Sequence, residues 1–421
     1  MKKNKKFLIN KIENEKGAIT ALVLASLLII IVVFINLYMI GSNKSNSQDK
    51  EIKMIQEAYN YTDDEIDSKY KNSLVFEHVN VADTDPKGAL PANIKEIVEN
   101  DANKGIVIKD NNDNEWVWVE VPKTTVFSGL GIDTTSTLTV QNYTDIANKM
   151  ITYVGVYRKG AANQNCTWAD VWYDGCGLTQ QEYISAYQSM LKFVYEYGGF
   201  WIGRYEAGID GSITDLSKAR TSHTDIEIGK SPKAISQKDA IPYNCVCCSE
   251  GQILANEMVP DSNYRSSLMF GIQWDLVCKF LEVKSDLTID DINKDSTEWG
   301  NYKNAKIGNI ILGKYSAYKN DALGVWNKVE SAYTKTDIGT DCVVLLSTGI
   351  SEYTKKMNIY DFAGNVLEWS LEKSSNDMYT CVYRGGSCKY IGSYPPASSR
   401  TMCKTIDNYT DVSFRATLYK K

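Results

Sequence analysis

The sequence predicts an α+β fold carried behind a single membrane-spanning helix. Three observations predict it. Ala18 to Ile40 is an uncharged run of 23 residues. Beyond residue 75, a few helical periodicities are set among many short β-branched or aromatic stretches. Those stretches never alternate with helices in the strand–helix–strand rhythm that a parallel sheet needs. The 421 residues are 43% hydrophobic and 23% charged, with only 8 prolines, which excludes wholesale disorder and collagen-like repetition.

At about 1.5 Å per residue, the apolar run at residues 18–40 spans a hydrocarbon core of roughly 30 Å. Six lysines and two glutamates give residues 1–17 a charge of +4; the remainder carries 40 basic against 50 acidic groups, −10. Lysines precede the run and none lies inside it. Positive-inside bias therefore makes residues 1–17 a cytoplasmic basic head, with one pass through the cell membrane and everything after Ile40 outside. A cleaved secretory signal would be shorter and end in small residues, and Tyr38-Met39-Ile40 is a poor cleavage site. Residues 41–74 begin as a polar linker, and apolar Ile52, Ile55, Tyr59 and Ile66 suggest a stalk. Residues 75–421 read as the ectodomain, long enough for a substantial core. Its acidity argues against a nucleic-acid partner. The two histidines, His78 and His223, exclude three-histidine metal sites and the H-E-x-x-H motif.

The ectodomain elements follow in order. Gly105 to Asp110 and Glu115 to Val121 flank Asn111-Asn-Asp-Asn114, a turn that tolerates positive φ, and so predict a β-hairpin. Thr179 to Tyr197 predicts a helix. Thr179 and Glu182 form a capping box, Tyr183, Ile184, Tyr187, Met190, Leu191 and Val194 share a face, and Gly198-Gly199 ends it. Phe200 to Glu206 reads as a strand. Ser249 and Gln252 are candidate caps of a second helix. Leu268, Met269, Ile272, Leu276 and Phe280 mark a third, with Trp274 on its flank. From Cys342 onward the signals are short strands and turns.

Three blocks stand near the C-terminus: Asp361-Phe-Ala-Gly-Asn-Val-Leu-Glu-Trp369, Arg384-Gly-Gly-Ser387 and Ser413-Phe-Arg415. Gly364-Asn365 predicts a tight turn, Trp369 a core plug, and Gly385-Gly386 a close approach of two backbones. Glu368 must be held by backbone donors, an arginine or a cation. Arg384, Arg400 and Arg415 are candidates for internal carboxylate pairs. In order and spacing these blocks resemble the formylglycine-generating enzyme (sulfatase-modifying factor) family, whose fold is a variant of the C-type lectin fold. Trp116-Val-Trp-Val119, Phe200-Trp-Ile-Gly-Arg-Tyr-Glu206 and Gln273-Trp274-Asp275 resemble upstream blocks of the same family. The resemblance runs from about residue 105 to 421. Lys16-Gly17 before the apolar run resembles a prepilin leader, although the usual acid five positions after the cut is Leu22.

The resemblance implies an oxygen-dependent cysteine oxidase that holds copper(I) on two cysteines after R-G-G-S. Here the third and eighth positions after Ser387 are Tyr390 and Pro395, so copper is not expected and no catalytic residue is assigned. The enzymatic alternative is a displaced pair, Cys388 with Cys403. The resemblance also implies a structural calcium ion on Gly364, Val366 and Glu368, with Asn365 nearby. Between Arg384 and Arg415 the chain is rich in Tyr, Ser, Thr and Asn, the chemistry of a paratope. Tyr390, Tyr394, Asn408 and Tyr409 are the expected contacts. The same segment resembles the variable region of retroelement-diversified proteins; the alternative is an ordinary polar loop. The expected function is a membrane-anchored, lectin-like protein that binds a protein or glycan. The alternatives are the oxidase and a minor pilin-like subunit. The ten cysteines leave disulfide connectivity open. Cys245-Val-Cys247-Cys248 contains a C-x-x-C spacing. It reads either as a redox or zinc element or as small buried residues at a strand-to-helix join, and the missing second ligand pair favours the latter.

Overall fold

The computed structural model describes residues 74–159, 166–210, 220–261, 263–308, 310–331, 334–335 and 343–421. The basic head, the apolar run 18–40, nearly all of the stalk and Cys342 lie outside these. Among the described residues no helix is long and apolar enough to cross a membrane. Val75 to Lys421 is one compact unit.

The elements that position the site run as follows. Strands β1 (Ile94–Glu99), β2 (Val107–Asp110) and β3 (Glu115–Glu120) lead to helices α1 (Val140–Val154) and α2 (Gln180–Tyr197). Then come β4 (Gly199–Gly203), α3 (Cys248–Glu257), β5 (Tyr264–Leu268) and α4 (Gly271–Lys284). The C-terminal part adds β6 (Lys314–Lys319), β7 (Val344–Leu346), β8 (Leu367–Ser374), β9 (Cys381–Arg384), β10 (Arg400–Cys403), β11 (Val412–Phe414) and β12 (Ala416–Lys420). The fold class is α+β. A six-stranded antiparallel sheet has the order β1-β2-β3-β4-β12-β5. A second sheet orders β10-β9-β8-β11, in which β8 and β11 run parallel. Helix α2 packs on β4 and β12, and α4 touches both β3 and β8, so the helices join the two sheets.

The hairpin forms where the sequence predicts it. Ile108 pairs with Trp116, and Asp113 takes the positive φ of 63°. Trp116 and Trp118 are buried and keep their indole N–H groups satisfied, donating to Asp110 Oδ2 at 3.0 Å and Thr84 Oγ1 at 2.7 Å. Helix α2 is capped by Thr179 and Glu182 and stopped by Gly198 at φ 69°. A Cβ on Gly198 would stand 2.0 Å from the Asp83 carbonyl, so only glycine fits there. Ile184, expected in the core, is exposed.

Three expectations need correction. The strand after Gly199 stops at Gly203, short of Glu206. Helix α3 is capped by Cys247 with Glu250, whose Oε2 accepts from Cys247 N at 2.8 Å. Ser249 therefore lies inside the helix, and Gln252 instead accepts from Leu268 N at 3.0 Å. Helix α4 begins at Gly271, so Leu268 belongs to β5. Its start is fixed by Asp170, whose carboxylate accepts from Gly271 N at 2.6 Å and Ile272 N at 3.1 Å, a tether no local pattern reveals. Trp274, expected on a flank, is fully buried. Helix α1 was not expected at all; its Thr139–Asn142 capping box and buried Ile146, Met150 and Val154 were the available signal.

Replacing Thr179 by alanine removes one side of the α2 capping box; chemical denaturation should show a loss of about 1 kcal/mol.

Candidate functional site

The C-terminal blocks meet in two buried ionic clusters. In the first, three arginines face three carboxylates. Asp275 Oδ1 accepts from Arg384 Nη2 at 2.7 Å and Arg400 Nη2 at 2.8 Å. Its Oδ2 accepts from Arg400 Nη2 at 2.6 Å and Arg158 Nη1 at 3.2 Å. Glu372 accepts from Arg400 Nε at 2.9 Å, Arg384 Nη1 at 3.1 Å and Arg158 Nη1 at 3.0 Å. Asp170 accepts from Arg158 Nη2 at 2.9 Å. Burial alone would raise the Asp275 carboxyl; Arg400, Arg384 and Arg158 outweigh it and hold it below the ordinary range. Asp170, whose burial outweighs Arg158, is raised. The expected internal pairs of Arg384 and Arg400 are present. Arg158, Asp170 and Glu372 were not singled out in the sequence. The period-two face Glu368, Ser370, Glu372 on β8 was the one hint.

In the second cluster Arg415 donates from Nη2 to Glu368 Oε1 at 2.8 Å and from Nε to Glu368 Oε2 at 3.1 Å. Its remaining N–H groups reach the carbonyls of Gly203 and Tyr360. Of the three partners expected for Glu368, the structure supplies the arginine. Gly364 and Asn365 both take the left-handed conformation, at φ 75° and 59°. This turn aims Asn365 Nδ2 at Glu206 Oε1 and lets Asn365 Oδ1 accept from Asn301 Nδ2 at 2.8 Å. Among the described residues Glu206 Oε2 is buried with no hydrogen-bond partner. Burial, then the Asp361 and Glu368 charges, push the Glu206 carboxyl well above the ordinary range, which favours its neutral form.

The first cluster underlies one wall of a surface cleft of about 370 Å³, lined in part by Tyr383, Lys389, Tyr390, Tyr394, Tyr409 and Asp411. Arg384 donates to the carbonyls of Ser399 and Ser398 at 3.1 Å each, and Trp274 Nε1 to that of Ala397 at 3.0 Å. Lys303 N donates to Tyr390 O at 2.7 Å, and Ser296 N to Gly392 O at 2.9 Å. Gly386 permits the expected close approach, since a Cβ there would stand 2.6 Å from Pro395 O. The opposite lip is held by Cys245 N donating to Tyr409 O at 3.0 Å and Asn244 Nδ2 to Thr410 O at 2.7 Å. On this tethered backbone the side chains of Tyr390, Tyr394 and Tyr409 stand 43%, 60% and 52% exposed. Three of the four expected contacts thus line one cleft. Asn408 is not in the lining; its Nδ2 donates to Ile406 O at 3.0 Å.

Of the expected calcium ligands Gly364, Val366 and Glu368, both Glu368 oxygens accept from Arg415, whose charge would repel a cation, and the two remaining carbonyls fall short of the roughly six to eight oxygens calcium takes. Among the described residues, the groups close enough to share an ion are Glu77–His78–Asp101 and His223–Asp225–Glu250, neither of which lines the cleft. The alternative oxidase pair is not drawn together either. Cys403 faces Cys381 across β9 and β10, whereas the charged surroundings of Cys388 are Asp411 and Lys335. Burial pushes both thiols up in the metal-free protein. In the C-x-x-C stretch, Cys247 caps α3 and Cys248 opens it, buried beside the Tyr173 hydroxyl at 3.3 Å. Cys278 is a core residue of α4.

An α+β domain with a tethered, tyrosine-rich cleft over a buried ion network is the class these observations define. No protein family and no curated protein matches the chain in sequence.

Asp275→Asn leaves guanidinium charge unpaired in the core and should cost about 3–5 kcal/mol in urea unfolding at neutral pH. Glu206 behaves oppositely. Its native pKa is raised, so above about pH 4.3 the unfolded chain ionises while the native one stays protonated, and stability falls as pH rises. Glu206→Gln should flatten that slope above about pH 4.3 and raise the unfolding midpoint at higher pH.

Proposed function

We propose that this chain is a membrane-anchored binding protein that displays its tyrosine cleft outside the cell to a protein or glycan ligand. In this reading the ectodomain is a formylglycine-generating-enzyme-like variant of the C-type lectin fold used as a scaffold, without that family's chemistry. The observation that carries it is the cleft: exposed tyrosines on a backbone locked from beneath by Arg384 and Trp274. Tyrosine offers rigid, amphipathic contact area at low entropic cost. The family resemblance is supported by its blocks sharing contacts, with Gln273-Trp274-Asp275, Arg384 and Arg400 in one cluster and Glu368 with Arg415 in the other. The positions where that family keeps its thiols hold Tyr390 and Pro395, and both line the cleft. The anchor rests on the uncharged run 18–40 and its flanking lysines.

The test is binding of the purified protein to glycan and peptide arrays, followed by affinity measurement on the best ligand. A Tyr390→Ala, Tyr409→Ala double variant should bind at least about tenfold more weakly with an unchanged melting temperature. Stoichiometric copper(I) binding with oxygen-dependent thiol oxidation, lost in Cys388→Ala or Cys403→Ala, would replace this reading with the oxidase.

A further inference from the structure

The cleft contains three ionisable groups besides its tyrosines, and their partners decide what it can hold. Arg400 lines the wall, but every N–H group of its guanidinium that the structure orients is spent inward on Glu372, Asp275 and the Tyr157 carbonyl. Lys389 is drawn off the cleft axis. Its Nζ lies over the Tyr318 ring at 5.4 Å, 3.8 Å from Asp321 Oδ1 and 3.9 Å from Asp411 Oδ1. Asp411 is 4% exposed. Its Oδ2 accepts from Ser387 Oγ at 2.7 Å, while among the described residues Oδ1 has the Lys389 contact, which is longer than a hydrogen bond. Asp411, with one carboxylate oxygen not engaged in a hydrogen bond among the described residues, thus lines the same cleft as Tyr383, Tyr390, Tyr394 and Tyr409.

Aromatic faces carry negative potential and attract cations, best when the cation is weakly hydrated. A carboxylate at the base of such walls adds a counter-charge. Beyond residue 17 the chain carries −10, so its long-range field also gathers cations and repels anions. The volume, about 370 Å³, is of small-ligand size.

We propose that the cleft recognises a quaternary ammonium group, seated against the tyrosine faces with its charge toward Asp411 Oδ1. This names the ligand chemistry of the binding site proposed above and rests on that reading. Lys389 is then a built-in competitor for Asp411. The consequence is a sign that no anion- or sugar-binding cleft shares: removing the lysine strengthens binding.

The experiment is titration calorimetry on the full-length protein in a non-ionic detergent, with choline as probe and its uncharged carbon isostere, 3,3-dimethyl-1-butanol, as control. Choline should bind at least about tenfold more tightly than the isostere. Asp411→Asn and Tyr409→Ala should each weaken it several-fold, Tyr409→Phe should not, and Lys389→Met should tighten it. Flotation with phosphatidylcholine vesicles, competed by free choline, would assign the group to a surface headgroup; binding of free choline without flotation would assign it to a solute. Equal affinity for the isostere, or weaker binding in Lys389→Met, overturns the inference. If choline fails while an array ligand is still lost in the Tyr390→Ala, Tyr409→Ala variant, only the ammonium assignment falls. If neither ligand depends on those tyrosines, the cleft itself is not the binding site.

Discussion

Six ionic side chains from distant parts of the chain meet in a cluster that is largely closed to water. Arg158, Asp170, Asp275, Glu372, Arg384 and Arg400 balance three charges against three, and the four from α4, β8, β9 and β10 have side chains fully withdrawn from solvent. Taking ions out of water costs several kcal/mol each, and the cost is offset only when every donor and acceptor finds a partner in good geometry. That condition makes the cluster a positional device as well as a stabilising one. Arg384 reaches both carboxylates and, from the same guanidinium, the backbone of Ser398 and Ser399. Helix α4, the second β-sheet and the cleft wall are thereby referred to one point.

What was legible in the sequence was what is local. The hairpin shows in its turn residues, and α2 in a capping box and a glycine stop, because both are decided within a few residues. The clusters show only by half. The arginines stand in recognisable blocks, yet Arg158 lies 214 residues from its partner Glu372, and no spacing rule spans that distance. The misplaced start of α4 has the same origin, since Asp170 caps it from 101 residues upstream. Helix α1 was overlooked for a different reason: its box uses Asn142 in place of the usual glutamate, and its buried stripe is narrow. The tyrosines were legible as a compositional bias. Which of them share a cleft was not, because that depends on where the backbone of 388–399 is tied.

The two clusters differ in what they leave over. The first is balanced and has no group to spare for chemistry. The second holds Glu206, Asp361 and Glu368 against Arg415, and this excess, with burial, raises the Glu206 carboxyl well above its ordinary range. Neither presents a reactive side chain to solvent. The cleft is lined instead by aromatic rings, Lys389 and the nearly buried Asp411, groups suited to holding a partner. Core and rim thus divide the work between rigidity and contact.

Strand β12 is the last element of the chain, yet it lies inside the large sheet, hydrogen-bonded to β4 on one side and β5 on the other. Leu418 pairs with both Trp201 and Ser266. Until β12 docks, β4 and β5 have no strand between them, and Glu368 lacks the guanidinium of Arg415 that precedes that strand. Closing the large sheet therefore waits on pairing between segments far apart in sequence, the kind of contact that forms slowly.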